Sequence, residues 1–461
     1  MEKSITQLLR NFTTKLIDLF NENLVSGSFA SLCAEAQREA CAFETGLLAS
    51  FFEETDKMIL QDADRKKRFY VEKRGQVKRL QTDMGEVELK RTLFKDKKNG
   101  KFRYLADELL DIDKYQRIDK GLKAKLADAA AEGSYGKAEA LTGGAVSRQT
   151  VMNIVHKLDC IKAGLNVSEQ RNVPILYVEA DEDHIHMQNG KSGQIKLVYV
   201  HEGKKEVCKG RKELVNPRFF TSGENNSDKL WREVSEYIET VYDTNNIYIQ
   251  LHGDGAKWIK NGVQWLPNAE FVLDKFHVFK SLTTATGHCR KLKHLLIKSI
   301  KAQDEVRTFE LFQQLYEAAK KDSDRKEVIQ TEAYIFNNYY EIHLLAEEIL
   351  YNGCSAEGHV SHMLSSRMSS RPMGWSAHGA EKIAALRAYK KNNGDMLALV
   401  TKKQKQESKP YILPKRKYNK LKTAVQQAAT IPVAQIPILN ASSHYGTKTL
   451  VQKTIQQRLK Y

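Results

Sequence analysis

The stretch LYVEADEDHI, residues 176–185, decides how this chain is read: the β-branched and aromatic run Ile175 to Val178 closes on a cluster of acids with Asp181 at its centre. A second run, Ile247 to Leu251 in IYIQLHGDGAKWI (247–259), closes in the same way on Asp254. Both have the pattern of a buried strand that ends in an acidic residue. A third acid, Glu357 in GCSAEGHVSH (353–362), opens a predicted helix on which Glu357, Val360 and Leu364 fall at i, i+3 and i+7, which places the acid on the inward face. A lone acid on an apolar face is costly unless something compensates its charge. Mg²⁺ is held by one or two carboxylates together with phosphate oxygens and water, so three acids converging from two strand ends and a helix predict metal-assisted phosphoryl transfer.

Charge points to a polyanionic partner. The chain has 461 residues and a formal charge of +16, too long for one ordinary domain and strongly basic. Between Arg65 and Arg103 there are 15 Lys/Arg against 5 Asp/Glu, and from Thr401 to Tyr461 there are 13 against 1. Two basic arms therefore flank a body that holds the acids, which suits gripping a DNA backbone around a metal site. Solubility alone would not concentrate the excess in two blocks. The six cysteines are scattered with no CxxC pair, so neither structural zinc nor a disulfide framework is expected. No apolar run reaches membrane-spanning length and no secretory segment opens the chain, so a cytoplasmic, nucleoid-associated protein is expected.

Residues 1–62 carry helical spacing (Ile5, Leu8, Leu9, Phe12, Leu16, Phe20, then Phe29 to Phe52) and are expected to pack on each other or on a second subunit. Residues 63–112 alternate around the turn-like MGEV and DKKNGK segments and predict short basic β-hairpins with Lys and Arg exposed. Residues 113–165 predict a helix-turn-helix. Ser147 caps a helix whose Val151, Ile154, Val155 and Leu158 face inward, while Arg148, Gln149, Asn153 and Lys157 face outward as candidate DNA contacts. The core then runs over 170–274, with strands at 175–180, 195–201 and 205–209, a helix at 227–242, and strands at 247–251 and 271–273. Residues 275–351 read as a helical insertion forming a lobe of its own, because 103 positions between Asp254 and Glu357 are too many for a simple connection. The core ends over 352–400, and 401–461 form a basic tail expected to be a mobile arm that orders on DNA.

The strings YVEADEDHI, LHGDGAKWI, LDKFHVFK and AEGHVSHMLSSRMSSRPMGWS, in that order, resemble the ISLre-type insertion-sequence DDE transposases of bacteria, a family related to the Mutator-like group. The resemblance implies an α/β fold with an RNase H-like mixed-sheet core, interrupted by an all-helical insertion and preceded by DNA-binding elements. It places Asp181, Asp254 and Glu357 as the acidic triad and makes Asp274 and His277 the DxxH motif. Glu381, at the start of a later predicted helix, is the alternative third acid. Its own helix face holds only small residues such as Ala385 and Ala388.

On this reading two Mg²⁺ ions, for which Mn²⁺ can substitute, are shared by Asp181, with Asp254 and Glu357 completing the coordination. The substrates are double-stranded DNA, both the terminal inverted repeats and the target, handled by a homo-oligomer. Arg367 and Arg371 are candidate contacts to the scissile phosphate or flanking DNA. Trp375 is either a base-stacking or a core residue. Glu179, Glu182 and Asp183 are expected to be solvated acids at a strand end, and His184 and His186 structural, since a hard cation prefers oxygen. A metal-dependent nuclease without strand transfer shares the whole triad, whereas an inactive DNA-binding regulator would not need it.

Overall fold

The computed structural model describes residues 2–26, 28–160, 169–343, 354–401 and 411. Two compact units emerge: the chain up to Ala124 together with Thr401 and Tyr411, and Lys125–Val400. Among the described residues no helix is long and apolar enough to cross a membrane.

In the first unit, α1 (Glu2–Ser26) and α2 (Phe29–Gln61) pack together, with Phe12 stacked on Phe43 at 5.0 Å between ring centroids. The Ser28 hydroxyl caps α2 by accepting the Ser31 N–H. The short α3 (Ala63–Arg68) leads into one long antiparallel hairpin, β1 (Phe69–Thr82) and β2 (Gly85–Asp96), with β3 (Phe102–Arg103) on its edge and α4 (Leu105–Leu109) behind. This differs from the several short hairpins expected, because the alternation continues through the polar stretch around Gly75 and a register shift there absorbs the break. Phe52, Ile59, Phe69, Leu80, Val87, Leu89 and Phe94 form the core. Tyr411 is buried among them, and its hydroxyl donates to Asp62 Oδ2 at 2.5 Å. Thr401 and Tyr411 are the described positions of the expected basic tail; the rest of that arm lies outside the described residues.

Not every hairpin cation faces solvent. Lys78 is buried, 3.3 Å from Asp107 Oδ2, and Arg91 donates to the same oxygen while its guanidinium lies 3.6 Å from the Tyr104 ring centre. Burial pushes the Lys78 pKa down and the Asp107 pKa up, each opposed by its partner. Asp107→Ala would leave two cations at a desolvated site and is expected to cost about 3–5 kcal/mol, read by urea denaturation.

Three short helices come next in the chain, α5 (Lys120–Glu132), α6 (Tyr135–Ala140) and α7 (Arg148–Lys157), the last capped by Ser147. A five-stranded mixed sheet follows, built from β4 (Ile175–His186), β5 (Ser192–His201), β8 (Arg218–Gly223), β9 (Tyr248–Gly253) and β10 (Ala269–Leu273). Its order is β10-β9-β4-β5-β8. β4, β5 and β8 pair antiparallel, and β9 and β10 join β4 in parallel. The third strand of the meander is β8 rather than the expected 205–209. That segment instead forms the exposed two-stranded ribbon β6 (Lys204–Cys208) and β7 (Arg211–Leu214), since its alternating charges leave neither face apolar enough to bury.

Helix α8 (Ser227–Val241) covers one face of the sheet through Leu230, Trp231, Val234 and Ile238. After β9, α9 (Lys257–Lys260) and a 3₁₀ turn lead to β10. Helices α10 (Lys275–Ala285), α11 (Arg290–Lys301), α12 (Glu305–Ala318), α13 (Asp322–Asn337) and α14 (Tyr339–His343) fill the predicted insertion. They do not form a lobe with a core of its own. Leu282, Leu296, Phe312, Val328 and Ile335 belong to the same apolar cluster as Val178, Ile249 and Trp231 of the sheet layer. The chain then runs through α15 (Ala356–Val360), a π-turn, α16 (Ser366–Met368), α17 (Ala377–Lys391) and α18 (Met396–Thr401).

Candidate active site

Strand alternation divides β4 between two environments. Leu176, Val178 and Ala180 enter the apolar core. Glu179, Asp181 and Asp183 project to the opposite face, and all three are buried. The sheet register then assembles the site. Glu179 pairs laterally with His252 on parallel β9, so two residues further on Asp181 lies beside Asp254. Leu273 pairs with Gly253, which places Asp274 next in line, and the Asp274 N–H donates to the Gly253 carbonyl at 2.7 Å. Gly255, at φ +94°, turns the chain away immediately after Asp254 in a conformation that favours glycine. Asp254 Oδ1 accepts the Ala256 N–H at 2.9 Å, and the Tyr334 hydroxyl donates to its carbonyl.

Asp274 caps α10 by accepting the Phe276 N–H at 3.0 Å, and one turn later His277 points back toward the strand ends, its Nε2 3.9 Å from Asp274 Oδ2. Glu357 arrives from α15 on the other side. Ligand atoms of Asp181, His277 and Glu357 all lie within 4.8 Å of one another. Glu357 is exposed, not inward on an apolar face as expected; Ala356 and Val360 bury the helix while the acid stands at the mouth of the site. Asp181 is 8% exposed, and its pKa is pushed up to about 7. Burial is the main cause, opposed by the Glu182 N–H donating to Oδ1 at 2.8 Å, while the charges of Asp254 and Glu357 push it further up. Carboxylates gathered this way repel one another unless a cation or proton sits among them. The donor set, carboxylates plus one imidazole, fits a divalent cation.

Other expected positions fall elsewhere. Glu381 on α17 meets Asn226, 3.2 Å away, and lies against Gly223 of β8, at the sheet edge two strands from β4. Arg367 is 3% exposed and cannot reach a phosphate: its guanidinium lies 5.0 Å from the Trp375 ring centre and donates to the Ala130 carbonyl of α5 at 3.3 Å. Trp375 is itself buried, its indole N–H donating to Met368 O. Arg371 is exposed, as are Arg148, Gln149, Asn153 and Lys157 along the outer face of α7. The acids around Asp181 are not solvated. Glu179 is fully enclosed, Asp183 accepts from Ser365 and Ser369 at 3.0 and 2.9 Å, and Glu182 binds Gln194 and the Trp258 indole N–H. The DxxH spacing picked out His277, but nothing in the sequence showed that its ring would stand among the acids.

A family model described as an uncharacterised protein family, UPF0236, matches residues 27–406. A UPF0236 protein of Caldanaerobacter subterraneus subsp. tengcongensis is 33% identical over 443 residues, covering 95% of this chain and 94% of its own length. Another from that organism, whose name joins 11 numbered designations, has the same identity and coverage. A protein of Streptococcus gallolyticus, named as a UPF0236 protein in a vanSb 3′ region, is 24% identical over 371 residues, 76% of this chain and 80% of that protein.

Proposed function

The chain belongs to the uncharacterised family UPF0236, and from its site we propose that it is the DNA transposase of a bacterial insertion sequence, cleaving and joining strands by a metal-dependent DDE mechanism. The observation that carries this reading is the convergence of Asp181, His277 and Glu357, with Asp254 beside them on the neighbouring strand. Three antiparallel strands extended by two parallel ones, with the first strand central, is also the order that an RNase H-like core requires. Asp181, Asp254, His277 and Glu357 each fall in one of the four strings that resemble ISLre-type transposases. A relative's name that joins 11 designations from one organism is what a self-copying gene would produce.

Asp181, Glu357 and His277 would hold the cation, and Asp254 would complete its coordination from the adjacent strand. A divalent cation such as Mg²⁺ or Mn²⁺ held there would supply activation of a water or a DNA 3′-hydroxyl and charge stabilisation at the leaving 3′-oxygen. Burial and the neighbouring acids disfavour the charge on Asp181, and a cation held there would offset it. No side chain needs to act as a nucleophile. The exposed face of α7 would read the inverted repeats while the basic hairpin grips phosphates.

Incubation with Mg²⁺ and a duplex carrying the DNA that flanks the gene tests this reading. Cleavage at the element's ends followed by joining to a second duplex is the expected result; cleavage without joining would make the protein a nuclease. Arg148→Ala and Asn153→Ala are expected to reduce preference for end sequences over random DNA by about 10-fold, roughly 1–3 kcal/mol per lost base contact. Equal losses on both DNAs in a competition binding assay would remove α7 from sequence reading.

A further inference from the structure

Two positions before Asp181 on β4, and two positions before Glu357 on the other side of the site, the chain makes a contact that the catalytic reading does not use. Glu179, 1% exposed, receives the Ser355 N–H, the Ser355 hydroxyl at 3.0 Å and the Cys354 thiol at 3.4 Å. We propose that Glu179 is a positioning residue, a buried carboxylate that fixes the start of the Glu357 helix to the Asp181 strand and so sets the spacing of the two acids; this rests on the metal-site reading above.

Six donors from three parts of the chain meet this one side chain. Besides Cys354 and Ser355, the Tyr199 hydroxyl donates from the position directly opposite on β5, His201 Nε2 lies 3.0 Å from Oε1, and the Lys204 ammonium lies 3.1 Å from the same oxygen. His201 Nδ1 lies 3.1 Å from the Gly203 nitrogen and 3.0 Å from the Gly203 carbonyl, and because a carboxylate only accepts, Nε2 is the donor toward Glu179. Every polar contact to Glu179 comes from a hydrogen-bond donor or a cation, the setting that favours its carboxylate form. A carboxylate is suited to the task because it only accepts, and can take several donors at once. The packing reinforces the direction of the tie. The Tyr199 ring lies 4.7 Å from the His359 ring on α15, and His359 Nδ1 lies 2.9 Å from the Ser355 carbonyl. The Cys354 thiol also lies beside Asp274, the cap of the helix that carries His277. One buried anion thereby links β4 and β5 to α15 directly and to α10 through the thiol, the elements that bring Asp181, Glu357 and His277 together.

Solvent does not reach Glu179, and its role is to hold other groups, so its loss is expected to appear in metal affinity and not in DNA affinity. Groups that orient metal ligands typically contribute about 10–100-fold to affinity. Glu179→Gln keeps the shape but replaces an acceptor by a donor facing donors. The test measures Mn²⁺ binding by the full-length protein from the free-ion EPR signal, alongside DNA binding and cleavage. Glu179→Gln is expected to weaken Mn²⁺ binding roughly 10–100-fold, to lower cleavage at limiting metal, to recover part of it at high Mn²⁺, and to leave DNA affinity within about twofold. Wild-type Mn²⁺ affinity in the folded variant would overturn the positioning role. If Glu179→Gln does not fold, Tyr199→Phe removes a single donor and is expected to weaken Mn²⁺ binding by about threefold; unchanged affinity there overturns it equally. A wild-type protein that binds no Mn²⁺ would instead sink the metal-site reading on which the proposal rests.

Discussion

Asp181→Asn is expected to make the metal-free protein more stable at pH 8 while abolishing its activity. The Asp181 pKa lies near 7 in the folded chain against an ordinary 3.8, mainly through burial and then through the charges of Asp254 and Glu357. A folded pKa raised in this way contributes stability that is fully present below about pH 4 and is lost as pH rises through 7. The shift is worth at most about 4 kcal/mol at 1.36 kcal/mol per unit. Asparagine carries no charge to bury and keeps the oxygen that accepts the Glu182 N–H. The variant should therefore gain on the wild type between pH 4 and 7 and keep that gain above 7, in denaturation curves recorded in EDTA. Lower stability than wild type at pH 8 would contradict the burial and repulsion described for Asp181. Metal binding should follow the same proton: below pH 7 wild-type affinity is expected to fall by up to about tenfold per pH unit, because the cation must displace a proton.

Asp254→Asn and Glu357→Gln are expected to reduce DNA cleavage by at least about 1,000-fold, since each removes a charge from the set that would hold the cation. DNA affinity should stay within a few-fold, because phosphate contacts to basic residues carry it. Glu381→Gln should leave cleavage within about threefold, as expected of a surface change away from the site: Glu381 meets Asn226 and Gly223 at the β8 edge. A dead Glu381→Gln beside an active Glu357→Gln would reverse the assignment of the third acid.

Much of the site's placement was legible in the sequence because strand ends and helix caps are local signals. The apolar runs before Asp181 and Asp254, the Ser147 cap and the helix over 227–242 each depend on neighbours within one turn or one strand. What the sequence hid depends on distant partners. Glu179 looked like one more solvated acid because Tyr199, Lys204 and Ser355, which enclose it, are up to 176 positions away. Arg367 looked available to phosphate until the Ala130 carbonyl and the Trp375 ring claimed it. Strand β8 went unseen because RFFTSG is short, follows Pro217 and has little alternation, and is recognisable mainly by its pairing with β5. The helices of the insertion read as a separate lobe because periodicity shows that a face is apolar but not which core it joins.

Sulfur substitution at the scissile phosphate tests most directly whether Asp181, Asp254 and Glu357 deliver a metal ion to the reacting atoms. With a 3′-bridging sulfur at the element's end, cleavage in Mg²⁺ is expected to fall well below that of the all-oxygen duplex and to be restored by Mn²⁺, which accepts sulfur more readily. Equal sulfur effects in Mg²⁺ and Mn²⁺, or cleavage that persists in EDTA, would contradict a metal-held leaving group at this site.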